Sequence, residues 1–314
     1  MQHQLNGCHF DYQLEGYTPP RPSHPNDLPS SVLFEWFAPT STVAKARALQ
    51  KHSGINRSVF GITQSHAEHS HDFEAYCYYP NANVKHSLGA LQTFLGVDIP
   101  LPKGFANHYL TSFKINPDQA DLELDVYDTL LACRAVHANF IKFAYNGYPV
   151  CTKCKTCIKA SVALASSSTS STSPSYPTSS TSSSYPGINH YKFFYKNVDS
   201  NDALDAYLSK ITHLLWGKAY NIADMLPLWL IEQTQSSICI SIKPNKVLGL
   251  YTSHVQLPTF VTFLERYSFP EDYISKIKGS AHRFSHLLFD VGLNVTTTTS
   301  KTLQVTKAGF YGVF

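Results

Sequence analysis

Several groups of residues in this chain have the types and spacing that chemistry needs. Cys151, Cys154 and Cys157 form a C-x2-C-x2-C run. Three thiolates so close together are enough for three ligands of zinc or of an iron–sulfur cluster. No Cys-Pro follows, and Cys133 or His137 would complete the set only if the fold returned them, so three free thiols on a loop is the competing reading. His66, His69 and His71 crowd one turn with Glu68 and Asp72. No helical or strand spacing gathers them on one face, and a solvated turn accounts for them. Asp121, Glu123 and Asp125 alternate with Leu122, Leu124 and Val126, which puts three carboxylates on one side of a strand. They either line an interior, where their oxygens suit Mg²⁺, or form the solvated outer face of an antiparallel sheet. Lys142, Lys192, Lys243, Lys246 and Lys307 each lie on a strand-like segment, and parity puts Lys142 and Lys243 on the hydrophilic side. No phosphate-binding glycine loop, nucleophile elbow or H-E-x-x-H pattern occurs, which removes the usual kinase, hydrolase and zinc-protease chemistries.

Composition narrows the setting. The 314 residues are 43% hydrophobic and 15% charged, with 19 Tyr and 19 Phe. That is enough to bury a sizeable core, and so many aromatics either pack it or line a cavity. A net charge of +3 without a Lys/Arg run argues against nucleic acid. No signal-peptide pattern and no apolar run of ~20 residues is seen, so a cytoplasmic protein without a membrane partner is expected. Seven cysteines, an odd number, fit a reducing compartment.

The elements that must position these residues alternate between hairpins and helices. Residues 1–30 read as an extended, Pro-rich arm, followed by the apolar anchor VLFEWF and a helix on VAKARALQKH. Period-2 alternation predicts hairpins over 57–65/71–79, 108–115/121–128, 139–147/189–198, 236–244/246–253, and the C-terminal segment 287–314. Helical patterns fall at 84–95, 129–138, 201–216, 258–267 and 270–284, with a Pro227-broken segment after 216. An insertion at 148–187 splits the third hairpin. Its Ser/Thr/Pro-rich part cannot bury enough apolar surface to fold. The expectation is one α+β domain: a ten-stranded antiparallel β/α barrel of five hairpins with helices on the outside. Closure removes the sheet edges. The Ile/Leu faces then meet the helices and the Asp, Ser, Lys and Tyr faces line a chamber.

Five such hairpins resemble the ABBA prenyltransferase barrel. LFEWF (33–37), IKFAYNG (141–147) and VLGLYTSHVQLPTFVTFL (247–264) are similar to the cyanobactin peptide prenyltransferases of that group, and KAGFYGVF is similar to the Lys-Gly-Tyr ending of bacterial aromatic prenyltransferases. The resemblance implies transfer of a prenyl group from a prenyl diphosphate to a cyclic or linear peptide side chain or an aromatic small molecule, by a monomer. It implies diphosphate binding by Lys142, Lys192, Lys243 and Lys307, where cations would meet charge building on the leaving oxygens. Tyr191, Tyr195, Tyr251 and Tyr311 would shield the allylic cation and hold the acceptor. Glu74 would take the acceptor proton. One departure stands out: Asp121, Glu123 and Asp125 sit where the family places cations, and Glu74 and Arg57 look exchanged. A diphosphate beside those carboxylates is repelled unless Mg²⁺ bridges them. The alternative is a barrel without donor binding that serves as a binding or accessory protein in a peptide natural-product pathway.

Overall fold

The computed structural model describes residues 24–52, 58–66, 70–78, 110–115, 122–126, 187–195, 201–233 and 237–313. The strands are β1 (Ser58–Ser65), β2 (His71–Tyr78), β3 (Leu110–Ile115), β4 (Leu122–Val126), β5 (Gly187–Tyr195), β6 (Ser237–Lys243), β7 (Val247–Val255), β8 (Phe289–Thr297) and β9 (Leu303–Val313). The helices are α1 (Ser31–Phe37), α2 (Thr40–His52), α3 (Asn201–Trp216), α4 (Ile222–Met225), α5 (Leu228–Gln233), α6 (Leu257–Arg266), α7 (Glu271–Gly279) and α8 (Ala281–Phe284).

Seven strands make one continuous antiparallel sheet in the order β5-β6-β7-β8-β9-β1-β2. The two short strands β3 and β4 link its free edges. β3 pairs antiparallel with β2, and β4 pairs parallel with β5. This corrects the expected ten-stranded barrel of five antiparallel hairpins. Among the described residues there are nine strands in the circuit, and the neighbour of β5 is β4, not the 139–147 segment. A parallel junction needs a crossover of a dozen or more residues, and residues 127–186 supply the connection. The other four hairpins pair as the alternation predicts. The first arm of the third hairpin, the helices at 84–95 and 129–138, and almost all of the 148–187 insertion lie outside the described residues.

Local sequence explains several of these elements. In α6, Phe260, Phe263 and Leu264 are buried at helical spacing, and Pro258 occupies the first turn, where its missing N–H costs nothing. In α3, Leu204, Leu208, Ile211 and Leu215 make the buried stripe. α4 opens on a capping box between Asn221 and Asp224, and Pro227 separates it from α5.

The helices cover one face of the sheet. Phe260 stacks on Phe289 at 4.1 Å and meets Phe310 edge-on at 5.2 Å. Phe34 of α1 lies 5.5 Å from Phe60, and Tyr207 of α3 lies 5.2 Å from Phe194. Ile238, Ile240, Ile242, Leu248, Leu250, Val291, Leu293 and Val295 share that face and are buried. Alternation then sends the intervening positions to the opposite, inner face.

Candidate functional site

The inner face carries the chemistry. Its rows follow from strand register. Glu74, Gly61, Tyr311 and Asp290 are consecutive partners across β2, β1, β9 and β8. The next row runs Asp72, Thr63, Gly309, Gly292, Tyr251 and Cys239. The row after that holds Ser65, Lys307, Asn294, Gly249 and Ser241. Lys243 lies two residues beyond Ser241 on the same side of β6.

Two tyrosines dominate the centre. Each belongs to a Gly-x-Tyr segment, Gly249-Leu250-Tyr251 on β7 and Gly309-Phe310-Tyr311 on β9, and each faces a glycine on the next strand. A Cβ built on Gly249 would stand 2.7 Å from the Tyr251 ring, and one on Gly61 would stand 2.9 Å from the Tyr311 ring. The rings therefore lie down over backbone, which requires glycine at these positions. They meet edge to face at 5.7 Å, an arrangement that aromatic quadrupoles favour.

Charged groups flank the rings. Lys243 Nζ lies 5.8 Å from the Tyr251 ring centroid, within cation–π range. Lys307 Nζ donates to Glu74 Oε1 at 3.1 Å and forms an ion pair with Asp72 Oδ2 at 2.8 Å. Glu74 is almost fully buried, whereas Lys307 and Asp72 remain 21% and 25% exposed, so this pair is reached from solvent on one side. Asp290, Thr63 and Ser241 are buried on the same face. Thr63 Oγ1 and Ser241 Oγ have no hydrogen-bond partner among the described residues.

Of the expected site residues, the structure brings together Glu74, Lys243, Lys307, Tyr251 and Tyr311. Tyr191 and Tyr195 occupy inner-face positions of β5, opposite Ser241 and Ser237. Lys192 pairs instead with Ile240, at a register position on the helix-covered side. Glu123 and Asp125 share the inner register of β4, opposite Lys114 and Ser112. Lys142, Asp121, Arg57 and Cys151, Cys154 and Cys157 lie outside the described residues, as do Glu68 and His69 of the histidine turn. His66 and His71 of that turn meet Tyr267 and Tyr273, at 6.0 and 5.8 Å. Among the described residues no group of three or more His, Cys, Asp or Glu is disposed to hold a metal ion.

Sequence reasoning passed over Thr63, Ser241 and Asp290 as site residues, and the glycine floors with them; Asp72 entered it only as part of the histidine turn. Asp290, Gly292 and Asn294 alternate with Phe289, Val291 and Leu293, so the signal for that strand was present in its period of two.

No protein-family model matches this chain, and no curated protein matches it in sequence. Among the described residues no helix is long and apolar enough to cross a membrane.

Proposed function

We propose that the inner face is a reaction chamber in which a prenyl group moves from its diphosphate to a peptide side chain or an aromatic acceptor. The observation that supports this reading is the convergence of Lys243, Tyr251, Tyr311, Lys307 and Glu74 on one face. In this reading the C–O bond of the prenyl diphosphate breaks, and the diphosphate leaves with the electron pair. A new bond forms between the acceptor nucleophile and the allylic carbon. The acceptor proton passes to Glu74 and on to solvent by way of the exposed Asp72 side. Lys243 supplies charge to the leaving oxygens. The crossed rings of Tyr251 and Tyr311 present π faces to the cation and keep water from it.

The inner face is rich in carboxylates, so the donor needs a divalent cation. Glu123 and Asp125 hold inner register positions of β4, and Mg²⁺ commonly takes one or two carboxylates together with substrate phosphates. When bound, the ion would offset charge between those acids and the diphosphate. The same reading has the protein working as a monomer in the cytoplasm, with neither nucleic acid nor a membrane as partner.

The test is direct. The purified chain is incubated with prenyl diphosphates of several lengths, Mg²⁺, and linear and cyclic peptides bearing Tyr, Trp, Ser and Arg, and products are read by mass spectrometry. Covalent prenyl adducts that vanish in Glu74→Gln are expected. Absence of any adduct across the panel would remove the transferase reading.

A second reading has its own support. Lys307 is engaged by two carboxylates, and Lys192 sits at a helix-side register position. Of the lysines expected at a diphosphate, one is thus paired with acids and another lies off the inner register. A binding or accessory role on a peptide pathway follows if a non-hydrolysable prenyl diphosphate analogue fails to raise the melting temperature with or without Mg²⁺.

A further inference from the structure

The acidic end of the inner face has a chemistry of its own. Three carboxylates, Asp72, Glu74 and Asp290, occupy two adjacent rows, and among the described residues the ammonium that meets them is that of Lys307, one row further on. Lys307 Nζ sits 2.8 Å from Asp72 Oδ2 and 3.1 Å from Glu74 Oε1. The chain itself therefore places a cation between Asp72 and Glu74.

A second observation points to a ligand. Thr63 lies between Asp72 and Gly309 in register. It is 1% exposed, and its hydroxyl oxygen has no hydrogen-bond partner among the described residues. Leaving such a group unsatisfied costs about 1–3 kcal/mol, and an N–H donor brought in by a ligand would satisfy it. The Tyr311 ring, with Glu74 and Asp290 in its own row, offers a negative face to a cation. Access comes from the side where Asp72 and Lys307 are exposed, while Glu74 lies 3% exposed behind them.

We propose that Asp72, Glu74, Asp290, Thr63 and Tyr311 form a binding site for a cationic peptide side chain, a guanidinium or an ammonium. A guanidinium suits it better. Its five N–H donors can reach carboxylate and hydroxyl oxygens at once, and its plane stacks on a ring. Lys243 stands on β6, beyond the Tyr251 row. Anionic donor and cationic acceptor would then sort to opposite ends of one face. As an acceptor site this rests on the transferase reading.

The test is calorimetric titration of the full chain with matched blocked peptides that differ in a single residue: arginine, lysine or citrulline. Citrulline keeps the shape and loses the charge. The arginine peptide is expected to bind roughly tenfold or more tightly than the citrulline peptide, the ratio a charged hydrogen bond confers. That preference is expected to collapse in Asp290→Asn. If this variant unfolds, Asp72→Asn, at a partly exposed position, serves in its place. Lysine matching arginine keeps the site and assigns its selectivity to charge alone. Equal binding of the citrulline peptide, no binding of any peptide, or an undiminished preference in the folded variants would overturn the proposal. Arginine-selective binding without any prenyl transfer would sink the transferase reading and leave this site standing. Transfer to neutral and cationic peptides at equal rates would do the reverse.

Discussion

The ring of Tyr311 lies so close to Gly61 that a Cβ on the glycine would stand 2.9 Å from its Cδ1 and 3.3 Å from Glu74 Oε2. Gly61→Ala must therefore displace the ring, the carboxylate or the strand. Overpacking of this kind costs about 1–3 kcal/mol. Urea unfolding of Gly61→Ala should show that loss. Most of it should disappear when Tyr311→Ala is added, because the second change removes the obstacle. Equal losses in both backgrounds would mean that the ring does not rest on Gly61.

Lys307 should be worth more to stability than a surface lysine. Its removal leaves Glu74, whose side chain is 3% exposed, without its ammonium. Lys307→Met is expected to cost about 2–3 kcal/mol, less than the ~3–5 kcal/mol of a fully buried pair because Lys307 itself is partly solvated. The double change Lys307→Met with Glu74→Gln should recover part of this loss, as read by chemical denaturation.

Stability should fall on mild acidification. Burial lowers the pKa of His254 from 6.5 to about 4, so the folded state resists its protonation. Between those values the unfolded chain binds the proton and the folded chain does not, and stability declines as pH drops through 6.5 toward 4. The full effect approaches about 3 kcal/mol. His71 moves the same way, because its desolvation outweighs Asp272 and Asp72. His254 holds φ 57° beside the β7 bulge, a conformation that Asn tolerates. Denaturation of His254→Asn between pH 7.5 and 5 should therefore give a flatter profile than the wild type, and an unchanged slope would refute the assignment.

Phe260 holds helix α6 to the sheet through Phe289 and Phe310. Phe260→Ala is expected to cost about 3–5 kcal/mol, the range for deleting a buried aromatic ring. A loss below ~1 kcal/mol would show that the helix packs there without it.

Among the described residues Lys243 is the lysine best placed for an anion, beside Tyr251 and within the inner register. Lys243→Met should weaken binding of a non-hydrolysable prenyl diphosphate analogue about tenfold in the presence of Mg²⁺, the scale of one charge-assisted contact. Unaltered affinity would move the diphosphate elsewhere.

Much of this arrangement was legible in the residues. Ile238, Ile240 and Ile242 against Cys239, Ser241 and Lys243 is a plain period of two, and it placed Lys243 correctly. The same reading put Tyr251 and Tyr311 among the candidates. Alternation failed on β5, where Tyr191, Phe193 and Tyr195 on one side face Lys192 and Phe194 on the other. Both sides carry aromatics, so polarity does not distinguish them. The parallel β4–β5 junction was invisible for another reason. Local pattern reports that a segment is a strand, while the partner it meets depends on where a long connection returns the chain. The glycine floors escaped because a glycine weighs nothing in a hydrophobicity pattern, although here it decides where a ring can lie.

The contact between Glu74 and Lys307 joins positions 233 residues apart. During translation β1 and β2 leave the ribosome with no β9 to pair against. At typical synthesis speeds the wait is roughly 10–50 s. An unpartnered strand edge in that interval invites pairing with another nascent chain. Yield in cells should therefore depend on chaperone supply and growth temperature more steeply than the stability of the finished protein would suggest.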